Sequence, residues 1–60
     1  MQLMLTMDMD NAAFGDAPAT EAARILRKLA RQIQQADDND GEFVLMDVNG
    51  NKVGTAYIGA

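Results

Sequence analysis

An acidic run in the middle of the chain comes closest to a metal-binding motif. Its carboxylates are Asp37, Asp38 and Asp40. An EF-hand calcium loop requires acidic or amide side chains at its first, third and fifth positions, glycine at the sixth and glutamate at the twelfth. With Gly41 sixth, Ala36 falls on the first position and Asp47 on the twelfth, so one ligand is lost and another is shortened. We interpret the run as a solvated acidic loop that a protein partner could contact, and we predict no metal site and no cofactor.

Four basic residues lie close together after Pro18. They are Arg24, Arg27, Lys28 and Arg31. On a helix this row is about two turns long, enough for a few contacts to a phosphate backbone. The chain has only three aromatic residues and no helix-turn-helix or zinc module that would read bases. We interpret the row as a solvated face, on which Arg24 pairs with Glu21 at i,i+3 spacing. A basic patch for an acidic protein is the next alternative, and weak nucleic-acid binding is a further one.

The composition does not favour catalysis. The 60 residues include no histidine and no cysteine, which removes the commonest general base, the thiolate nucleophile and the usual zinc ligands. The acids lie in or near predicted loops, and no glycine-rich phosphate loop precedes a helix. We therefore predict a protein that is not an enzyme.

The elements that position these residues are clearest in residues 42–58. Two apolar runs are separated only by Asn49-Gly50, the strongest short signal for a two-residue hairpin with a type I′ turn. This register places Asp47 opposite Lys52. One face would then carry Val44, Met46, Val48, Val53 and Tyr57. The opposite face would carry Phe43, Leu45, Ala56 and Ile58, so both faces of the hairpin are apolar.

The preceding residues predict one strand and one helix. Residues 2–9 alternate in hydrophobicity, as a half-buried strand does. After a loop anchored by Phe14, a helix begins near Pro18 with Asp16 as its N-cap. Its apolar stripe consists of Ala22, Ile25, Leu26, Leu29 and Ile33. The predicted fold is α+β, one small domain over residues 1–60 with the order βαββ, in which one helix packs on a three-stranded, largely antiparallel sheet.

A single helix can cover only one face of such a sheet. We expect it on the face of Phe43, Leu45 and Ile58, where Gly54 and Ala56 leave room for it; the position of the first strand in the sheet stays open. The uncovered side chains would be Met4, Val44, Met46, Val53 and Tyr57, and the last four are candidate contacts for a partner. Without disulfides, a chain of this size gains further stability mainly by association. The uncovered face therefore predicts a protein partner or a second copy in a homodimer.

Net charge and hydropathy narrow the partners further. The net charge of −4 disfavours non-specific binding to nucleic acid. No apolar stretch is long enough to cross a membrane, and the first residues lack the basic region of a signal peptide. We expect a cytoplasmic protein that has no membrane partner.

Three segments resemble a family of small, uncharacterised bacteriophage and prophage proteins. The segments are 8–14 (DMDNAAF), 21–30 (EAARILRKLA) and 47–54 (DVNGNKVG). The resemblance implies a phage or prophage origin and the cytoplasm of a bacterial host. Phage proteins of this size often bind and block a host machine, as anti-CRISPR proteins and other anti-defence factors do. The resemblance therefore implies an accessory protein that binds a host or phage protein, most concretely an inhibitor of a bacterial defence complex. The alternative is a homo-oligomeric structural module.

Overall fold

The computed structural model describes residues 1–36 and 41–59, and its elements follow the predicted βαββ order. Strand β1 spans Gln2–Met7, helix α1 spans Pro18–Gln35, strand β2 spans Gly41–Met46 and strand β3 spans Lys52–Gly59. A 3-10 turn at Ala12–Phe14 lies between β1 and α1. The predicted α+β fold, a three-stranded antiparallel sheet with one helix, is confirmed.

Strand β3 is the centre of the sheet. The strand order is β1-β3-β2, and both pairings are antiparallel. Strands β1 and β2 therefore run parallel to each other on either side of β3, which settles the strand order that the sequence left open. Leu5 of β1 and Phe43 of β2 both lie opposite Ala56 of β3, so one row of side chains crosses all three strands.

The helix packs on the face of the sheet that the sequence predicted. Ile25 and Leu29 of α1 are buried together with Leu45 of β2 and Ala56 of β3. Phe14, the predicted loop anchor, is buried in the same core. Burying an aliphatic or aromatic side chain of this size stabilises a fold by about 1.5–3 kcal/mol. These contacts hold α1 against the sheet far more strongly than helix propensity does.

The turn between β2 and β3 is one residue longer than predicted. The Gly50 N–H donates to the Asp47 carbonyl at 3.0 Å, and the Asp47 N–H donates to the Asn51 carbonyl at 2.9 Å. Val48, Asn49 and Gly50 therefore form a three-residue loop, in which Gly50 has the left-handed φ of 84°. A type I turn followed by a left-handed residue is the usual form of such loops. The predicted two-residue type I′ turn is wrong.

A β-bulge compensates for the longer loop. Met46 pairs with Lys52 beside the turn, whereas Leu45 pairs with Gly54, and Val53 is therefore the extra residue of β3. A bulge bends its strand and changes which side the extra residue faces. The loop shifts the pairing by one residue, and the bulge shifts it back.

Two predictions fail at the bulge, and the register beyond it is correct. Phe43 lies opposite Ala56, as the sequence predicted. Val53, predicted on the uncovered face, is only 7% exposed and belongs to the core. The reason is that the bulge turns it towards the helix side of the sheet. Asp47 does not lie opposite Lys52 either, because the pairing next to the longer loop is shifted by one residue.

Helix α1 differs in two details from its predicted pattern. Its N-cap is Ala17, which makes no side-chain hydrogen bond to the helix, so Asp16 is not the cap. Leu26, predicted in the apolar stripe, is 44% exposed, whereas Glu21 is buried four residues before Ile25. Residues four apart lie on the same side of a helix. The buried stripe of α1 is therefore narrower than predicted and begins with a carboxylate.

Gly54 is expected to be the glycine that the sheet can least replace. A Cβ atom at this position would overlap the Thr6 carbonyl oxygen and lie 2.9 Å from the Met7 Cα atom, and both are backbone atoms of β1. We expect Gly54→Ala to lower the free energy of unfolding by about 1–3 kcal/mol, the usual cost of overpacking. Urea denaturation followed by circular dichroism measures this loss.

Gly59→Ala is the matched control. A Cβ atom on Gly59 would meet the ring of Tyr57, 2.5–2.7 Å away, and a side chain can rotate aside where a backbone cannot. Its loss of stability should be clearly smaller. A loss for Gly54→Ala no larger than that for Gly59→Ala would show that the approach of β1 is not tight at this point.

Candidate functional site

The face of the sheet opposite α1 carries a group of exposed apolar side chains and is called the open face below. Its side chains are Met4, Thr6, Glu42, Val44, Met46, Lys52, Thr55 and Tyr57. The large apolar members are well exposed, at 63% for Met4, 47% for Val44, 43% for Met46 and 50% for Tyr57. Of the predicted contact residues, Val44, Met46 and Tyr57 therefore lie where the sequence placed them. Val53 does not, since it is in the core.

The pairing of the strands arranges the open face in rows. Met4, Tyr57 and Glu42 are neighbours across the three strands, and Thr6, Thr55 and Val44 form the next row. Side chains in such rows are close enough to contact one another. Met4 also lies where the sequence placed it, on the uncovered face, although it was not one of the candidate contact residues. Tyr57 is also the diagonal neighbour of Val44, within reach of an aromatic side chain, so the apolar side chains continue from β1 to β2.

Tyr57 is held in place by a glycine. An ideal Cβ atom on Gly59 would lie within 2.5–2.7 Å of the Tyr57 ring and hydroxyl, which means that the ring lies against the bare backbone of Gly59. Gly59 is buried as a result. A ring that already packs on one side loses less conformational freedom than an unsupported ring when a partner covers its other side.

The Asp47 carboxylate organises the end of the hairpin. Its Oδ1 atom accepts hydrogen bonds from the backbone N–H groups of Asn49 and Asn51, each at 2.9 Å. Its Oδ2 atom accepts from the side-chain amides of Asn11 at 2.7 Å and Asn51 at 3.3 Å. The bond from the Asn51 N–H is the largest cause that lowers the pKa of Asp47 below its ordinary value. The carboxylate thereby joins the hairpin loop to the segment that leads into the 3-10 turn.

Glu21 of α1 binds the same end of the hairpin from the helix side. It accepts from Arg24 Nε at 2.7 Å and Nη2 at 3.3 Å, and from the Val48 N–H at 2.8 Å. Arg24 Nη2 also donates to the Met46 carbonyl at 3.4 Å. The hydrogen bond from Arg24 is the main cause that lowers the pKa of Glu21, and the same bond raises the pKa of Arg24. The predicted i,i+3 pair is confirmed, and it links the start of α1 to β2 as well.

The basic row does not form one uniform patch. Arg24 is half-buried in its pair with Glu21, whereas Arg27, Lys28 and Arg31 are exposed. Lys28 lines a depression of about 60 Å³ between α1 and β2. Its other lining residues are Ile25, Gln32, Val44, Leu45 and Met46. Lys28 therefore lies at the border of the open face, whereas Arg24 is paired with Glu21 within the fold.

The predicted acidic contact residues lie outside the described part of the chain. They are Asp37, Asp38 and Asp40. In residues 1–36 and 41–59, no group of three histidine, cysteine, aspartate or glutamate side chains could hold a metal ion. The second depression, about 250 Å³ in volume at the start of α1, is shallow and is lined by three alanines and by Asp16, Thr20, Glu21 and Arg24. The open face is therefore the site with the most distinctive surface chemistry.

Comparison of the chain with protein-family models, curated proteins and solved structures gave no match. The one helix that the structure describes is too polar to span a membrane.

Protonation of Asp47 should weaken the fold. A carboxyl group whose pKa is lowered by folding stabilises the protein at pH values above its ordinary pKa, and this contribution is lost as the pH falls through the folded-state value. The ordinary value for Asp47 is 3.8. The loss of stability in Asp47→Asn should therefore be constant near neutral pH and shrink as the pH falls below that value. Urea denaturation at a series of pH values measures the difference.

Asp16→Asn is the matched control, because the Asp16 side chain accepts no hydrogen bond from another residue in the described ranges. It should cost much less stability at neutral pH than Asp47→Asn. If both variants were equally stable at every pH, the Asp47 network would contribute nothing to the fold.

Proposed function

We propose that this protein acts without catalysis, by binding another protein through its open face. The observation that carries the proposal is the set of four large apolar side chains on the face opposite α1, from Met4 on β1 to Met46 on β2. A contiguous apolar patch on a small protein usually marks a binding surface. Such a patch is costly to leave in water, so its presence on a 60-residue chain favours a partner.

The chemistry of the open face suits a protein partner. Tyrosine and methionine are enriched at protein interfaces, and energetically dominant contacts are often aromatic. Tyr57 lies near the middle of its row, fixed against Gly59, and provides such an anchor. Glu42 and Lys52 carry the charges of the face and lie at opposite ends of the β2–β3 pairing. This combination of exposed apolar side chains, threonines and charges at the ends resembles the mixed composition of an interface.

The size of the open face limits how the partner can bind. Three strands at about 4.8 Å spacing and about 3.3 Å per residue give a face of roughly 300 Å². Stable complexes bury about 800 Å² on each partner. A flat second copy placed on this face would therefore make a weak dimer. A larger protein whose surface also reaches Lys28 and the depression beside β2 would make a sufficient contact.

We further propose that this partner belongs to a bacterial defence complex. The support is the resemblance of three segments to small phage and prophage proteins, together with a surface suited to stoichiometric binding. Binding of this kind would inhibit the complex by covering one of its working surfaces. Nucleic-acid binding through the helix is the weaker alternative, because Arg24 is already paired with Glu21.

The open face should be required for activity against bacterial defence. We expect the expressed protein to raise the plating efficiency of a sensitive phage clearly on a strain that carries one of the common defence complexes. Val44→Lys should abolish the effect, because it replaces one of the four large apolar side chains of the open face with a charge. Plaque counts on a panel of strains, each with one defence complex, measure it.

Leu26→Lys is the matched control, since Leu26 is an apolar residue of similar exposure that lies on α1 instead of the open face. It should retain full activity. Full activity of Val44→Lys, or equal loss in both variants, would contradict a role for the open face. The absence of any effect of the wild-type protein on the whole panel would contradict the anti-defence role.

A photo-crosslinker can identify the occupant of the open face. Replacement of Tyr57 by benzoylphenylalanine keeps an aromatic ring against Gly59, and illumination in bacterial cells should yield an adduct with one larger protein. The same group at Leu26 should yield much less of it. An adduct of twice the 6.5 kDa chain mass would instead place a second copy on this face.

A further inference from the structure

Strand β1 has one edge that no described strand covers. The Asp8 N–H donates to the Val53 carbonyl at 2.7 Å, so the backbone of Asp8 faces β3. In an antiparallel pair, alternate residues direct their N–H and C=O groups towards the partner strand. The backbone groups of Leu3, Leu5 and Met7 therefore face away from β3. They form the outer edge of the sheet.

This edge lacks the features that usually keep sheet edges from pairing. Natural edge strands carry charges, prolines or bulges that prevent another strand from joining. Residues 2–7 (QLMLTM) include no charge and no proline, and β1 pairs with β3 in a regular register. Leu3 is among the more exposed large hydrophobic residues. The outer edge of β1 is therefore suited to accept a strand.

The opposite edge of the sheet, on β2, is better protected. The Met46 carbonyl accepts from Arg24, and the Val48 N–H donates to Glu21. Glu42 places a charge on the same strand. A strand that joined β2 would have to displace these groups. Of the two outer strands that the structure describes, β1 is the one open to pairing.

We propose that β1 pairs with β1 of a second copy of this chain, antiparallel and centred on Leu5. The two outward-facing Leu5 residues would exchange backbone hydrogen bonds, and Leu3 would pair with Met7 of the second copy. About six backbone hydrogen bonds would form along the two strands. The result is a continuous six-stranded sheet made of two three-stranded ones.

The side chains of β1 are complementary to themselves in this register. Leu5 meets Leu5, Leu3 meets Met7, and Met4 meets Thr6, so no charge is opposed by a like charge. Asp8 lies opposite Gln2 of the second copy, whose amide can donate to the carboxylate. Registers centred on Leu3 or Met7 would pair fewer residues of the strand. This self-complementarity is the reason that a second copy, and not an unrelated strand, is the proposed occupant.

The symmetry of the pairing keeps both helices on one side. A two-fold axis through the Leu5 pair stands perpendicular to the sheet, so the two open faces join side by side into one surface of twice the area. The dimer does not depend on the proposed function, because it uses the edge of β1 and leaves the open face accessible.

Sedimentation over a concentration series from micromolar to millimolar tests the proposal. We expect a monomer–dimer equilibrium within this range. Leu3→Pro should shift it to the monomer, because proline removes an outward N–H group but no bond of the β1–β3 ladder. Leu3→Ala keeps the N–H group and should weaken dimerisation much less. A wild-type monomer at every concentration, or a dimer unaffected by Leu3→Pro, would overturn the proposal.

Nuclear Overhauser effects test the register without relying on the fold of a variant. In a mixture of isotope-labelled and unlabelled chains, Met4 Hα should show an intermolecular contact to Thr6 Hα. Within one chain these atoms are about 7 Å apart, too far for a strong signal. A dimer without this contact, or with intermolecular contacts at Tyr57 instead, would show that the two chains do not pair through the edge of β1. A monomer would reject the dimer and leave the open face free to bind another protein.

Discussion

The arrangement of the sheet depends on the hydrogen bonds that the Asp47 carboxylate accepts. By accepting the N–H groups of Asn49 and Asn51 the carboxylate stabilises a three-residue loop where the Asn-Gly pair alone favours a two-residue turn. The longer loop shifts the pairing of β2 and β3 by one residue. Without correction, this shift would place Thr55 and Tyr57 beneath the helix and turn Ala56 out to solvent. The bulge at Val53 prevents this.

The bulge also lets β3 bury residues in one core that a regular strand would place on opposite faces of the sheet. Val53 beside the loop and Ala56 farther along the strand are both buried against α1, although a regular strand would place them on opposite faces. Ala56 is small enough for the helix to approach closely, whereas Tyr57 is not. Tyr57 is thereby directed to the open face, where Gly59 gives its ring a flat support. The core and the exposed anchor therefore have a common origin in the loop.

Most of the fold could be predicted from the sequence, because its strongest signals are local periodicities. The alternation of residues 2–9, the helical spacing of Ile25 and Leu29, and the aromatic in the loop at Phe14 all gave the correct element. Strand β1 ends at Met7, two residues early, and only Leu5 and Met7 of its inner side pack against the core. The sequence also predicted correctly which face of the sheet most hairpin residues lie on, but it did not predict the longer loop or the bulge. Two deviations, the longer loop and the bulge, cancel in the far pairing, so the misplaced residues are those of the loop and the bulge, Val48 and Val53, and the Asp47–Lys52 pair between them.

The errors share a physical cause, which is that side-chain hydrogen bonds over long sequence separations leave no periodic signal. Asp47 was read as the cross-strand neighbour of Lys52, and its bond to Asn11, 36 residues away, could not be deduced from spacing. Glu21 was assigned to solvent because charged residues seldom lie in a buried stripe. Its burial is stable only because Arg24 and the Val48 N–H both bind it. The exposed residues Val44, Met46 and Tyr57 were predicted correctly because one helix cannot cover two faces.

The same hydrogen bonds that fix the hairpin also make the two edges of the sheet unequal. Glu21 and Arg24 reach the backbone of residues 46 and 48 and thereby occupy the outer side of β2 next to the turn. No comparable contact reaches β1 from the helix in the described residues, since the principal contacts of α1 are with the 3-10 turn and β2. An apolar strand without charge is thus left at one edge, while the polar network closes the other. In a chain too small to bury both faces and both edges, the position of this network determines which surfaces stay available to partners.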